Sequence, residues 1–250
     1  VILMAFRFGK LHRQLIQAAS ELRDNVSTLS FTPPVTHVYN PLQYAWDAHV
    51  AYLKKANPRG IRTLLMGMNP GPWGMAQTGV PFGEINFVRD WIGINESVAQ
   101  PELEHPKRKI EGFACQRSEV SGRRFWGLFQ EKFEKCDLFF EDHFVANFCP
   151  LVFMEETGRN RTPDKLPKVE KEALDQFCQE HLTRIIEILE PEFLVGVGAY
   201  AEKQFEHATE TLKCSIATSR ILHPSPASPA ANRDWPGTAT QQLTEAGIWQ

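Results

Sequence analysis

Four short apolar or β-branched runs, Ile61–Met66, Phe144–Phe148, Phe193–Val197 and Ala217–Leu222, constrain this chain more than any other feature. Gly, Pro or polar residues bound each run, so each reads as a buried strand. Helical stretches separate them: Glu84–Gly93, Arg123–Lys135, Leu166–Leu189 and Ala199–Thr211. Strands alternating with helices predict a parallel sheet covered on both faces through right-handed crossovers. The expected fold is α/β: a three-layer α/β/α sandwich around a central four-stranded, mostly parallel sheet.

Ahead of these runs, Lys10–Asn25 sets Leu11, Leu15, Ala18, Ala19 and Leu22 at helical spacing, which predicts an amphipathic helix. Thr32-Pro33-Pro34 then reads as an extended linker. Pro41–Ala56 reads as a second helix, stopped by Asn57-Pro58-Arg59-Gly60. With 250 residues and no visible repeat, the simplest organisation is one domain over 1–250, residues 1–30 being a helical extension packed on it.

Composition excludes several classes. A content of 42% hydrophobic and 23% charged residues is that of an ordinary globular chain. No apolar stretch approaches the roughly 20 residues of a membrane span, so no membrane partner is expected. Val1–Phe8 is apolar but short, contains Arg7 and precedes no small-residue cleavage site, unlike a signal peptide. The five cysteines are scattered without a C-x-x-C pair, which argues for reduced thiols and against zinc or iron–sulfur chemistry. The net charge of −3 does not advertise a polyanion partner, although a basic patch on one face suffices for one.

The chemistry concentrates at strand ends. Four glycines and three prolines fall between Met68 and Glu84, immediately after the first run. Such a loop is either a rigid turn or a cradle whose backbone approaches a flat or anionic ligand closely. Asn69 is the uncharged polar side chain at its mouth. Asn147, Gly196/Gly198 and His223 also fall at or just past strand ends, the edge where open parallel sheets bind ligands. His223 is followed by three prolines in six residues, which stiffen the loop holding it. Asn147 either bonds backbone or reads a base edge with its paired donor and acceptor. Phe82 either packs in the core or offers a stacking face.

These segments carry a resemblance. Gly67–Ile85 and His223-Pro224-Ser225-Pro226 resemble the two signature motifs of the single-strand-selective monofunctional uracil-DNA glycosylases, members of the uracil-DNA glycosylase superfamily. The likeness extends through Ser118–Gly127, Asn147-Phe148-Cys149-Pro150, Gly158–Pro163 and Val195–Gly198. It implies a uracil-DNA glycosylase-like fold, no cofactor and no metal. The implied activity is hydrolysis of the N-glycosidic bond of uracil and certain 5-substituted uracils on a flipped nucleotide, starting base excision repair. By the same resemblance Asn69 positions the attacking water and His223 bonds the uracil O2. Asn147 reads the Watson–Crick edge, Phe82 stacks on the ring, and Met68 and Gly71 line the pocket. Pro224, Ser225, Pro226, Ala227, Ser228 and Arg233 form the segment that meets DNA, single- or double-stranded. Vertebrate members carry a larger basic residue where this chain has Ala227, in a segment resembling the wedge that enters the duplex. A monomer is expected, in the cytoplasm with the nucleoid if bacterial and in the nucleus if eukaryotic.

The residues themselves weigh against the rivals. A nucleotide- or phosphate-binding α/β protein lacks here a Walker lysine and a G-x-G-x-x-G. A nucleoside hydrolase wants a carboxylate-rich metal cluster at the strand ends. A thiol hydrolase using Cys149 and His223 has no evident activating charge at the cysteine. A non-catalytic DNA-binding relative would have no need of Asn69 and His223.

Overall fold

The computed structural model describes residues 2–250, with side chains from residue 9 onward, so the reading of Val1–Phe8 falls outside the described side chains. In chain order the elements are α1 (Ile2–Val26), β1 (Val35–Tyr39), α2 (Pro41–Tyr44), α3 (Trp46–Leu53), β2 (Thr63–Gly67) and α4 (Met75–Thr78). Then come α5 (Val120–Phe133), α6 (Cys136–Asp142), β3 (His143–Asn147), β4 (Val152–Glu155), β5 (Asn160–Arg161) and α7 (Lys168–Leu189). The chain closes with β6 (Phe193–Val197), α8 (Ala199–Leu212), β7 (Ala217–Ile221) and α9 (Pro229–Glu245).

The four apolar runs form one sheet in the order β3-β2-β6-β7, and every pairing in it is parallel. Leu64, Leu65 and Met66 on β2 are fully buried, as expected of a strand covered on both faces. Helices α7, α1 and α8 pack together, and α5 packs with α6 and α9, completing the α/β/α sandwich. The apolar face of α1 (Leu11, Leu15, Ala18, Ala19, Leu22 and Val26) is buried in the same continuous core as the sheet.

The strand order matters for function. The chain enters the sheet at β2, places β3 on one side of it, then crosses to β6 on the other. That reversal is a topological switch point, and the crevice outside the carboxyl ends of β2, β3 and β6 is where such sheets bind ligands.

Three local differences separate sequence expectation from structure. The stretch Pro41–Ala56 is two helices, α2 and α3, with Ala45 between them at φ −111° and ψ 31°. Glu84–Gly93 contains a π-helical turn, Phe87–Ile92. A second sheet, β1-β4-β5, is antiparallel and comes from segments the strand pattern did not single out.

Candidate active site

Backbone hydrogen bonds extend the β2–β3 ladder past the strand ends and fix the two loops that begin there. Phe148 N donates to Gly67 O at 2.9 Å and Cys149 N to Met68 O at 2.9 Å. Asn69 and Asn147 thus emerge side by side from adjacent strands.

The long loop after β2 is tied down along its length. Gln77, fully buried, donates to Pro72 O and Lys109 O and accepts from the N–H groups of Glu111 and Gly112. Tyr44 Oη donates to Ala76 O at 2.7 Å, and Trp126 Nε1 on α5 donates to Pro81 O at 3.2 Å. The second loop is held from α9: Trp235 Nε1 donates to Leu222 O at 2.6 Å, and Gln242 Oε1 accepts from Leu222 N. These anchors preorganise both loops before any ligand arrives.

Between the loops lies a cleft of about 460 Å³, within the ~300–1,000 Å³ range of small-ligand sites. Met68, Asn69, Gly71, Phe82, Asn147, His223, Ser225 and Pro226 all line it. Those eight sequence candidates meet in one place. Of the remaining four, Pro224 is buried, its carbonyl accepting from Arg124 Nη1 at 3.1 Å. Ser228 caps α9 through its Oγ, which accepts from Ala231 N. Ala227 and Arg233 are exposed beyond the rim.

Local geometry defines what each side chain can do. Asn69 Nδ2 donates to Leu151 O at 3.2 Å and Pro70 O at 3.4 Å. Two carbonyls on the nitrogen side fix the amide orientation and leave Oδ1 as an acceptor. His223 Nδ1 accepts from Ser225 N at 3.1 Å, which puts the ring proton on Nε2. Burial lowers the His223 pKa to about 4. At neutral pH the ring is therefore an uncharged donor.

Phe82 lies flat on Phe125, ring centroids 4.3 Å apart and planes 10° from parallel, and also borders the cleft. It adopts a positive φ of 52°, a strained conformation for a bulky residue that the Val80–Gly83 turn imposes. Asn147 Nδ2 has only the Met75 sulfur at 3.2 Å, a weak acceptor that a better one would displace. Gly67 makes room for both: a β-carbon there would sit 2.7 Å from Asn147 Oδ1 and 2.7 Å from Phe82 Cζ.

Sequence reasoning gave no role to Glu119, Ser121, Asn160 or Thr162, which complete the wall. Glu119 stands out. It occupies the N-cap of α5 without capping it, and turns its carboxyl over Gly71 and Gly74, where any β-carbon would collide with its oxygens. Burial, and then the charge of Glu84, raise its pKa to about 7. The conjunction of two loop glycines with one glutamate some 45 positions away is invisible until the chain folds.

Cys149 is fully buried and its sulfur accepts from Leu151 N, so it offers no accessible nucleophile. Among the described residues no group of three or more His, Cys, Asp or Glu is placed to hold a metal ion.

A neutral imidazole donor, two amides and an aromatic face thus surround one crevice at the switch point of a parallel sheet. The pattern of the uracil DNA glycosylase superfamily matches residues 53–245. The single-strand selective monofunctional uracil-DNA glycosylase of Rattus norvegicus is 46% identical over 230 residues, 91% of this chain and 83% of that protein. Its counterparts in Bos taurus (43% over 233 residues, 93% and 86%) and Mus musculus (45% over 230, 91% and 82%) are similarly related. The chain belongs to this family within the uracil-DNA glycosylase superfamily. The crystal structure of SMUG2 from Pedobacter heparinus superposes with a TM-score of 0.64, covering 91% of this chain and 96% of that one. At 18% identity it speaks for the fold alone.

Proposed function

We propose that this chain is a monofunctional DNA glycosylase that hydrolyses the N-glycosidic bond of uracil in DNA, opening base excision repair. The observation that carries the reading is the tautomer of His223. A neutral ring whose Nδ1 is occupied by the Ser225 N–H presents Nε2–H to the leaving base. Asn69 takes up no proton at neutral pH, so bond breaking leads and water attack follows. Cleavage produces an oxocarbenium-like sugar and a uracil anion, and catalysis consists of stabilising that anion with fixed donors. His223 Nε2–H bonds O2, while Asn69 Oδ1 accepts from the water and aims it at C1′. The proton shed as water bonds C1′ balances the one the uracil anion takes up, leaving an abasic sugar and free uracil. Asn147 accepts from N3–H through Oδ1 and gives its Nδ2–H to O4 in exchange for the Met75 sulfur. Phe82, backed by Phe125, stacks on the ring.

The segment from Ser225 to Ser228, with Arg233 beyond it, enters the space beside the flipped nucleotide. Arg124 braces that segment through Pro224 O and Asn232 Oδ1, which makes it a stiff wedge in spite of its small tip, Ala227. We read the chain as a monomer, and as one domain with α1 as its extension. Its place of work is where DNA is: the nucleus in a eukaryote, the nucleoid in a bacterium. Neither loop holds a lysine aimed at a sugar carbon, so no lyase step is expected.

The test is incubation of the purified chain with uracil-containing oligonucleotides, single-stranded and duplex, in EDTA. Free uracil should appear, with strand scission only after alkali. No uracil release from either substrate would refute the reading, and scission without alkali would refute its monofunctional part.

A further inference from the structure

One stretch of chain beside the cleft is rich in cations that have no carboxylate partner. Lys107, Arg108, Lys109, Arg117, Arg123 and Arg124 fall within 18 residues of chain, and among the described residues none of them makes an ion pair. In a chain with a net charge of −3, this is a local concentration of unneutralised positive charge. Arg124 is committed to bracing the second loop. Arg108 and Arg117 have another arrangement.

Both guanidinium groups lie over the ring of Trp73, their central carbons 5.3 Å and 4.6 Å from its centroid. Trp73 follows Pro72, a cleft residue, in the loop that carries Asn69. Arg108 also reaches the opposite wall: a β-carbon on Gly158 would stand 3.4 Å from its Cζ. Next in sequence come Arg159, exposed and outside any ion pair, and Asn160, which lines the cleft. Arg108 thus bridges two strips of chain that both run directly into the site. Its Nη1 donates to Lys107 O at 2.9 Å, whereas its Nε is buried without a partner. A guanidinium held on an aromatic face and uncompensated by carboxylate is preorganised for an anionic oxygen.

We propose that Trp73, Arg108 and Arg117 form a phosphate clamp, which grips the backbone of the uracil-bearing strand next to the flipped nucleotide. The clamp rests on the glycosylase reading for the identity of its strand. Trp73 is the support: it fixes the two guanidinium groups at the mouth of the cleft, so that little side-chain freedom is lost when phosphate arrives. Because the grip is on phosphate, it holds the strand in register without reading sequence. One consequence is that single-stranded DNA has a firm hold on this protein without any partner strand for the wedge to enter.

The test uses the full chain and a single-stranded oligonucleotide with a tetrahydrofuran abasic analogue, binding being read by fluorescence anisotropy from 50 to 200 mM NaCl. Removal of one cation from a phosphate should flatten the plot of log Kd against log salt by about 0.7, so a variant's defect should shrink about 3-fold across this range. Arg117→Gln, at an exposed position, should flatten it by about one such step, and the Arg108→Gln/Arg117→Gln double variant by about two. Trp73→Leu keeps both charges and removes their support, so it should weaken binding at every salt concentration while keeping more of the slope than the double variant. Lys168→Gln, which breaks an exposed pair with Glu172 outside the cleft lining, should keep the wild-type slope. Trimming flanking nucleotides one at a time should reproduce the defect at one specific phosphate in the wild type, and cause no further defect there in the double variant. An unchanged slope in Arg117→Gln and in the double variant, each with wild-type melting temperature, would overturn the clamp. Uracil release by the wild type is scored separately, so failure of the glycosylase reading and failure of the clamp are distinct results.

Discussion

Gly67→Ala is the most revealing perturbation away from the reacting groups. Gly67 ends β2 and pairs in register with Asn147. An alanine β-carbon would stand 2.7 Å from Asn147 Oδ1, 2.7 Å from Phe82 Cζ and 2.8 Å from Phe82 Cε2. Ordinary van der Waals separation begins near 3.4 Å, so both side chains must retreat by roughly 0.7 Å. Phe82 has no room behind it, because Phe125 lies 4.3 Å away and is itself fully buried. The displacement therefore falls on the amide and on the ring's tilt. Overpacking of this kind costs about 1–3 kcal/mol of stability, which a chain of this size tolerates. A misplacement approaching 1 Å in a preorganised site costs about 10²-fold in rate. Single-turnover excision from a uracil oligonucleotide should fall by about that factor, in protein that still melts cooperatively. A Gly67→Ala enzyme with wild-type excision would refute the assignment of Asn147 and Phe82 to the base pocket.

Asn69→Ala should slow the chemical step by about 10²-fold or more while leaving the affinity for abasic-analogue DNA intact, since the side chain serves water and not the base; a defect confined to KM would reassign it to binding. Asn147→Asp should depress uracil excision at pH 7–8, because a carboxylate would face O4, an acceptor, and wild-type turnover would remove Asn147 from recognition. The thermal stability of Glu119→Gln should depend on pH. The folded-state pKa of Glu119 is raised from 4.5 to about 7, so its contribution declines as pH rises from 4.5 to 7 and stays lost above that. The glutamine variant should therefore gain melting temperature over wild type at pH 8 and not at pH 4.5, and an equal difference at both would contradict the burial of that carboxyl. His49, His143, His181 and His223 have the opposite sign. Burial is the first cause of each pKa falling to about 4, so their stabilisation is complete above pH 6.5 and lost as pH falls toward 4. Melting temperature should drop steeply over that window in the wild type.

The sheet was legible because Ile61–Met66, Phe144–Phe148, Phe193–Val197 and Ala217–Leu222 are short, apolar and sharply bounded, the signature of strands covered on both sides. The second sheet was not. Val35–Tyr39 follows two prolines and buries only its ends, while Val152–Glu155 is four residues long and sits just past a turn. Neither presents a period long enough to register. Asn69, Asn147 and His223 could be found because each ends a strand, so their convergence follows from topology. Glu119 could not: a glutamate before Val-Ser-Gly-Arg-Arg reads as a helix cap, and only the absence of side chains on Gly71 and Gly74 lets its carboxyl turn inward. The His223 tautomer likewise depends on one backbone N–H two residues on, a matter of loop conformation that residue types do not encode.

The central claim, that a neutral His223 stabilises the departing base, is tested most directly by leaving-group dependence. Single-turnover rates are measured for wild type and His223→Leu on oligonucleotides carrying uracil or 5-fluorouracil, whose anion is the better leaving group. Loss of one preorganised donor to a developing anion costs about 10²–10³-fold, so uracil excision should fall by that much. The fall should be several-fold smaller for 5-fluorouracil, which depends less on the donor. Equal losses on both bases would mean that His223 only holds its loop, and no loss on either would remove it from the chemistry.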